Sequence, residues 1–412
     1  MAVSLARAGL AGLAGAAAGA LAQFGLVVVV TRTTSLEEAG SFLAAVALAL
    51  MTAGICRLDA GNGLIFFISR AETYGYRGIS GYLRAALVPS VALAVLAGVL
   101  FEPVLGPLAY AVPVMVAADI LLAATRGFGS MRPTVLCDGL LLPFAQLVLV
   151  SAAAWGAVSL MPVAWAVPYG VVLVLAMAAL RGRMPHTPYL PGTGRDLWRH
   201  TGPRAVAGAI QAVFQRLDLV IVAVLGGPAQ AAVYAAATRF RVVGQLANQG
   251  LAQAAQPRLV RAMAAGDLPR ARELYQTTTM WLVLLTWPVW LGYAAVAPWL
   301  MRIFGAGYDA AIPIALVLSA TMMISTACGM VDVVLTAAGH TAASLRNLLC
   351  ALAVTVALDV ALIPAHGAFG AAVGWSGGVL VKNLLPLWQL HQRYGLRPFG
   401  RHTLRVREWA LT

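Results

Sequence analysis

Charge is scarce in this chain. Only 10% of its 412 residues are Asp, Glu, Lys or Arg, whereas a soluble domain carries about 25%. That scarcity excludes a water-soluble globular protein. Lysine is nearly missing, with Lys382 alone among 28 basic residues. Cysteine is sparse. Cys56, Cys137, Cys328 and Cys350 all fall in or beside apolar runs, with no CxxC or Cys/His spacing. They read as buried packing thiols rather than a disulfide framework or a metal site. No nucleophile motif, metal-ligand set or phosphate-binding loop is evident. No enzyme activity and no cofactor is therefore expected. What is abundant is apolar: 61% of residues are hydrophobic and the mean hydropathy is +0.83. The formal charge of +13 does not point to nucleic acid. The arginines fall in short loops between apolar runs, where they orient membrane spans.

A bilayer core takes about 20 apolar residues per helix. On that measure the chain reads as an all-α polytopic membrane protein with about twelve transmembrane helices. They cover 8–30, 40–58, 85–101, 106–125, 134–158, 162–180, 205–225, 231–255, 278–301, 311–334, 344–363 and 367–390. The stretch 59–70 either continues the second helix or lies amphipathically at the surface. The first run, preceded by Arg7, is longer than a signal-peptide core and lacks a convincing cleavage site, so it reads as a retained span. A basic, Pro-rich loop at 181–204 divides the chain six and six. The expected organisation is an N-terminal bundle at 1–180, a linker at 181–204, a C-terminal bundle at 205–390 and a basic tail at 391–412. Placing both termini in the cytoplasm puts 22 of the 28 basic residues at the inner ends. Two remain outside, Arg32 and Arg302, and four fall inside spans. This is a strong positive-inside bias, and it predicts a multi-pass protein of the bacterial inner membrane.

The four intramembrane bases are Arg216, Arg239, Arg241 and Lys382. Three belong to one stretch, RLDLVIVAVLGGPAQAAVYAAATRFR, in which two apolar runs meet at a Gly226-Gly227-Pro228 corner. Beyond the corner, Tyr234, Thr238, Arg241, Gln245 and Asn248 recur at helical spacing and share one face. Gln211, Gln215 and Asp218 make a shorter stripe on the first run. A buried Arg costs at least about 2.5–3.5 kcal/mol on the insertion scale, so these faces must line a watery or protein-walled interior. Guanidinium groups suit phosphate oxygens in geometry and stay charged. Arg216, Arg239 and Arg241 are therefore candidate phosphate-binding residues, with Gln245 and Asn248 available for sugar hydroxyls or for holding helices together. Lys382 either joins them or snorkels to the inner face.

Six acids lie in or near spans. Asp59 and Asp138 are expected near the interfaces and solvated. Asp218 and Asp359 are candidates for proton or sodium coupling, because burial raises a carboxyl pKa. Asp218 has a second reading, as the partner of a base on the eighth span. Asp119 and Asp332 belong to an ungapped internal repeat. Segment 119–137 matches segment 332–350, pairing Asp119 with Asp332, Leu122 with Leu335, Ala124 with Ala337, Leu136 with Leu349 and Cys137 with Cys350. Matched positions favour a structural role for these two acids. The repeat implies two bundles related by an axis along the membrane normal. The aromatics of the ninth span (Trp281, Trp287, Trp290, Tyr293, Trp299) read as an interfacial or lipid-facing belt.

Several stretches share a further likeness. RLDLVIVAVLGGPAQAAVYAAATRF resembles the seventh and eighth spans of polysaccharide flippases, with an internal Asp, a Gly-rich corner and a Y-x-x-A-x-R signature. TRTTSLEEAGSF resembles the matching junction of the first half. RIFGAGYDAA resembles their FG-x-x-(Y/F) loop, and VLTAAGHTAASLRNLL with LDVALIPAHGAFGAAVG resembles their A-G-(R/H)…N…IP-x-x-G-x-x-GAA passage. The family so resembled is the Wzx-like oligosaccharide flippases of the MOP superfamily, relatives of the MATE exporters and the lipid II flippases. The resemblance implies two six-helix bundles in a V and alternating access. It also implies an undecaprenyl-pyrophosphate-linked glycan as substrate, polysaccharide polymerase and glycosyltransferase partners, and a monomer. A cation-exporting MATE-like protein is the alternative. Lipid II flippases carry two further C-terminal spans, which this sequence does not show. A membrane-embedded glycosyltransferase would need long outer loops with catalytic acids, and the outer loops here are short.

Overall fold

A computed structural model describes residues 2–75, 78–184, 192–240, 251, 255–401 and 403, without the side chains of 2–14 and 16. Everything regular among the described residues is helical. In a bilayer this is the expected solution, because a helix satisfies every backbone polar group within its own segment. Nine helices among the described residues are long and apolar enough to cross a membrane. One of them, Thr341–Tyr394, folds back at Gly367 (φ 55°) and supplies two of the expected spans.

The chain forms two compact units, Met1–Val220 and Ile221–Thr412. The first contains α1 (Ala2–Thr33), α2 (Leu36–Cys56), α3 (Ala60–Tyr74), α4 (Ile79–Leu105) and α5 (Leu108–Gly127). It continues with α6 (Leu142–Gly156) and α7 (Met161–Arg181). A short π-helical segment, Val135–Leu141, leads into α6. The unit also holds most of α8 (Thr193–Leu225). α5 is its centre: 72% of its apolar window is buried, against 22% for α4, and it packs on α2, α3, α4 and α7. α1 lies against the start of the fifth span, where a side chain at Gly19 would strike the Gly139 carbonyl.

The stretch after residue 58 is neither a plain continuation of the second helix nor a surface segment. It is a separate helix, α3, packed on α4 and α5. The break lies at Leu58 and Asp59, both left-handed at φ 51° and 54°. Neither is glycine, and left-handed backbone costs about 1–2 kcal/mol per such residue. Fifteen helical residues follow the break. Arg57, just before it, pairs through Nη1 with Asp119 Oδ2 of α5 at 3.0 Å.

The second unit holds α9 (Pro228–Thr238), a helical stretch over 255–264, α10 (Leu268–Phe304), α11 (Ile312–Ala327), α12 (Val331–Ala337) and α13 (Thr341–Tyr394). Its corners explain the glycines of the sequence. Gly227 (φ 86°) turns the chain and Pro228 opens α9, the position where a missing N–H costs nothing. Gln230 Oε1 accepts the Ala368 N–H at 3.0 Å, just past the Gly367 turn. Between the arms of α13, side chains at Gly370, Gly374 and Gly378 would overlap Leu362, Asp359 and Thr355. Small residues four apart let two membrane helices approach this closely. Asn347 and Gln389 exchange amide hydrogen bonds across the same pair at 2.9 and 2.8 Å.

The cysteine and aromatic expectations need correction. Cys56, Cys137 and Cys328 are buried, but Cys350 is exposed, so the matched Cys137 and Cys350 have unlike surroundings. The aromatics of α10 are not a uniform belt. Trp299 is 64% exposed, whereas Trp290 and Tyr293 lie in the core. Tyr293 donates to the Ala237 carbonyl at 2.9 Å and packs on Phe240 with ring centroids 4.5 Å apart.

Candidate functional site

The candidate residues divide between the two units. Arg216 and Asp218 belong to the first, and Arg239, Lys382 and Asp359 to the second. Arg241, Gln245 and Asn248 lie outside the described residues. On α8, Arg216 is half-buried and Gln215 is exposed, while Asp218 is buried at 3% exposure. The Asp218 Oδ1 accepts the neighbouring Leu219 N–H at 2.8 Å. Arg216 acts electrostatically on Tyr169 of α7. That tyrosine belongs to a polar network which sequence reading missed. Its hydroxyl bonds Gln146, which accepts from Gln23 at 2.7 Å and donates to the Trp165 carbonyl at 3.1 Å. Asp119 and Asp138 act on the same hydroxyl.

The first unit thus gathers Arg57, Asp119, Asp138, Gln146, Tyr169 and Arg216 around α5 and α7. Asp119 takes the structural part expected of it, pairing with the arginine that caps α2. Its repeat partner Asp332 does likewise, accepting from Ser344 Oγ in the first turn of α13 at 2.5 Å. Asp138 keeps surface exposure but belongs to this network, acting on the Tyr169 hydroxyl. Asp59 departs from expectation. Its side chain is only 13% exposed, its Oδ2 pairs with Arg204 Nε at 2.9 Å, and its Oδ1 accepts from Asn62 at 2.6 Å. The signal for this pair was weak, since Asp59 and Arg204 are 145 residues apart.

In the second unit, the stripe along the eighth span does not begin in water. Tyr234 is fully buried, and Thr238 Oγ1 returns its hydrogen bond to Ala235 O at 3.1 Å. Arg239 is half-buried and caps α9, with its N–H on Ala236 O. A cation there also meets the negative end of the helix dipole. Lys382 is half-buried on the second arm of α13, where Asp332 acts on it electrostatically. Twelve residues separate it from the helix end at Tyr394, about 18 Å. Asp359 is fully buried against Gly374, in the contact between the arms. No group of three metal-ligating side chains occurs among the described residues.

The comparisons agree with this architecture. The MatE family model matches residues 203–361. No curated protein sequence matches. An inward-facing multidrug-resistance MATE transporter of the MOP superfamily superposes with a TM-score of 0.74 at 16% identity, covering 90% of this chain and 94% of that one. The lipid II flippase MurJ, in an inward closed conformation, gives 0.67 at 12% identity, covering 92% and 87%. A MOP superfamily transporter from Pyrococcus furiosus, described as having a binding pocket of reverse polarity that suggests a different function, gives 0.58 at 16%, covering 94% of each chain. At these identities the likeness shows the fold, that of a multi-pass membrane transporter.

Proposed function

We propose that this chain moves an anionic, lipid-linked glycan across the cytoplasmic membrane, with the pyrophosphate drawn in by arginines of the seventh and eighth spans. The observation that carries the reading is the sign of the charge there. On the seventh and eighth spans Arg216, Arg239 and Arg241 stand against Asp218. A cation exporter needs net acid where its cargo rests, whereas guanidinium forks suit phosphate. The Pyrococcus furiosus structure, with its reverse-polarity pocket, shows that this fold has been described with more than one pocket sign. Asp218 and Asp359 are the acids proposed for ion coupling, since both are buried within spans.

The test is reconstitution into liposomes carrying fluorescent undecaprenyl-pyrophosphate-linked glycan in both leaflets, with lectin access followed over time. Wild type is expected to equilibrate the label. Arg216→Gln, Arg239→Gln and Arg241→Gln are each expected to slow transfer at least about tenfold, the loss of one charge-assisted bond. If the triple variant still flips the glycan, the arginine assignment is wrong. Ion-driven export of ethidium with no glycan transfer would make the protein a cation exporter.

A further inference from the structure

The first unit contains a cavity of about 580 Å³ that none of the site residues above enters. Its walls are the last turns of α3, the first turn of α4 and the start of α8. All three lie at the arginine-rich end of the bundle. Arg70, Arg199 and His200 line it, together with one acid, Asp196. Phe67 and Tyr82 form an aromatic floor, stacked with centroids 4.6 Å apart at 18°. His200 is fixed at the rim: it stacks on Phe66 at 4.6 Å and meets the edge of Phe67 at 5.6 Å.

The walls are pinned to one another. Trp198 Nε1 donates to the Ala85 carbonyl at 3.1 Å. A side chain at Gly81 would collide with Thr193, and one at Gly63 with Thr201. The Asp59–Arg204 pair ties α8 to the start of α3. The cavity is therefore preformed, and a ligand would not have to order it.

We infer that this cavity binds a phosphorylated sugar, with the phosphate on Arg70 and Arg199, the hydroxyls on Asp196 and the ring on Tyr74. Two guanidiniums against one carboxylate leave a net positive site, and forked N–H donors match phosphate oxygens. The carboxylate argues against a bare polyanion, because it would repel one, but it accepts hydroxyl hydrogen bonds. Tyr74, which also lines the cavity, is 78% exposed and can offer its ring to the apolar face of a pyranose. The ligand has two sources, the headgroup of a lipid-linked glycan in the adjacent leaflet or a soluble sugar phosphate. The lipid-linked source rests on the transport reading; phosphosugar binding itself does not.

The test uses the full chain in phosphatidylcholine nanodiscs and calorimetric titration with glucose 1-phosphate, inorganic phosphate and glucose. A second preparation contains undecaprenyl-pyrophosphate-linked N-acetylglucosamine in the disc, read by native mass spectrometry. Glucose 1-phosphate is expected to bind saturably and more tightly than inorganic phosphate or glucose. The Arg70→Gln/Arg199→Gln pair is expected to weaken it at least about tenfold, with partial recovery in the corresponding lysine pair. Asp196→Asn should narrow the preference for glucose 1-phosphate over inorganic phosphate. All three side chains are exposed, so thermal unfolding should stay unchanged; the lysine pair decides the matter if the glutamine pair does not fold. Retention of the lipid-linked sugar without soluble binding assigns the site to the headgroup, and the reverse assigns it to a soluble ligand. Absence of both, or affinity unaltered by the substitutions, overturns the inference. Transport without binding here would sink only this site, and binding without transport only the transport reading.

Discussion

Asp359 is the residue whose surroundings say most about its work. Its carboxylate is fully buried in the contact between the arms of α13, and a Cβ at Gly374 would overlap it. Gly374→Ala therefore overpacks this contact, which costs about 1–3 kcal/mol. Removing the carboxylate should relieve much of that overlap. In detergent, Gly374→Ala should lower the unfolding midpoint of the wild type clearly and that of Asp359→Ala much less. Equal losses in both backgrounds would show that the carboxylate does not fill the space beside Gly374. The sequence marked Asp359 as buried because it sits mid-span, but not what it touches. The glycines at 370, 374 and 378 carried that information, through a four-residue spacing that brings helix backbones together. Matched positions in the repeat likewise foretold a structural Asp119, though nothing in its own segment pointed to Arg57 as the partner.

Helices show the same division between what hydropathy encodes and what packing decides. The spans were legible because each needs its own run of apolar residues. The break at Leu58–Asp59 was not, since no glycine or proline marks it and neighbouring helices hold the left-handed backbone in place. Nor was the docking of the first half of α8 onto α3 and α4, which rests on Arg204–Asp59, Trp198–Ala85 and close passage at Gly63 and Gly81. The loop at 181–204 read as a linker, yet helix begins at Thr193 within it. Arg204 is 61% exposed, so its pair with Asp59 contributes only about 0.2–1 kcal/mol. Its larger effect is local. Arg204→Ala should raise amide hydrogen exchange over 193–204 several-fold and leave α5 unchanged. Exchange that stays at the wild-type rate would mean that apolar contacts alone hold this half of α8.

For the molecule as a whole, every statement about leaflets depends on which face is cytoplasmic. The sequence answers through asymmetry: 22 basic residues at one set of ends against two at the other. Positive-inside bias sets orientation through short loops such as these. The structure adds that the same end carries the cavity with Arg70, Arg199 and His200. A phosphosugar taken there from the inner leaflet would meet the arginine-rich face first. A protein of opposite orientation would present the cavity to the outside. Single cysteines on a background lacking the four native ones settle this. Ser159→Cys and Ala306→Cys, in predicted outer loops, should react with a membrane-impermeant maleimide in intact cells. Arg183→Cys and Gly266→Cys should react only after the membrane is opened. The reversed pattern would put the cavity on the outer face and leave the inner leaflet without a docking site. Labelling of 159 and 183 on the same side would break the six-and-six topology, because α7 would then not cross the bilayer.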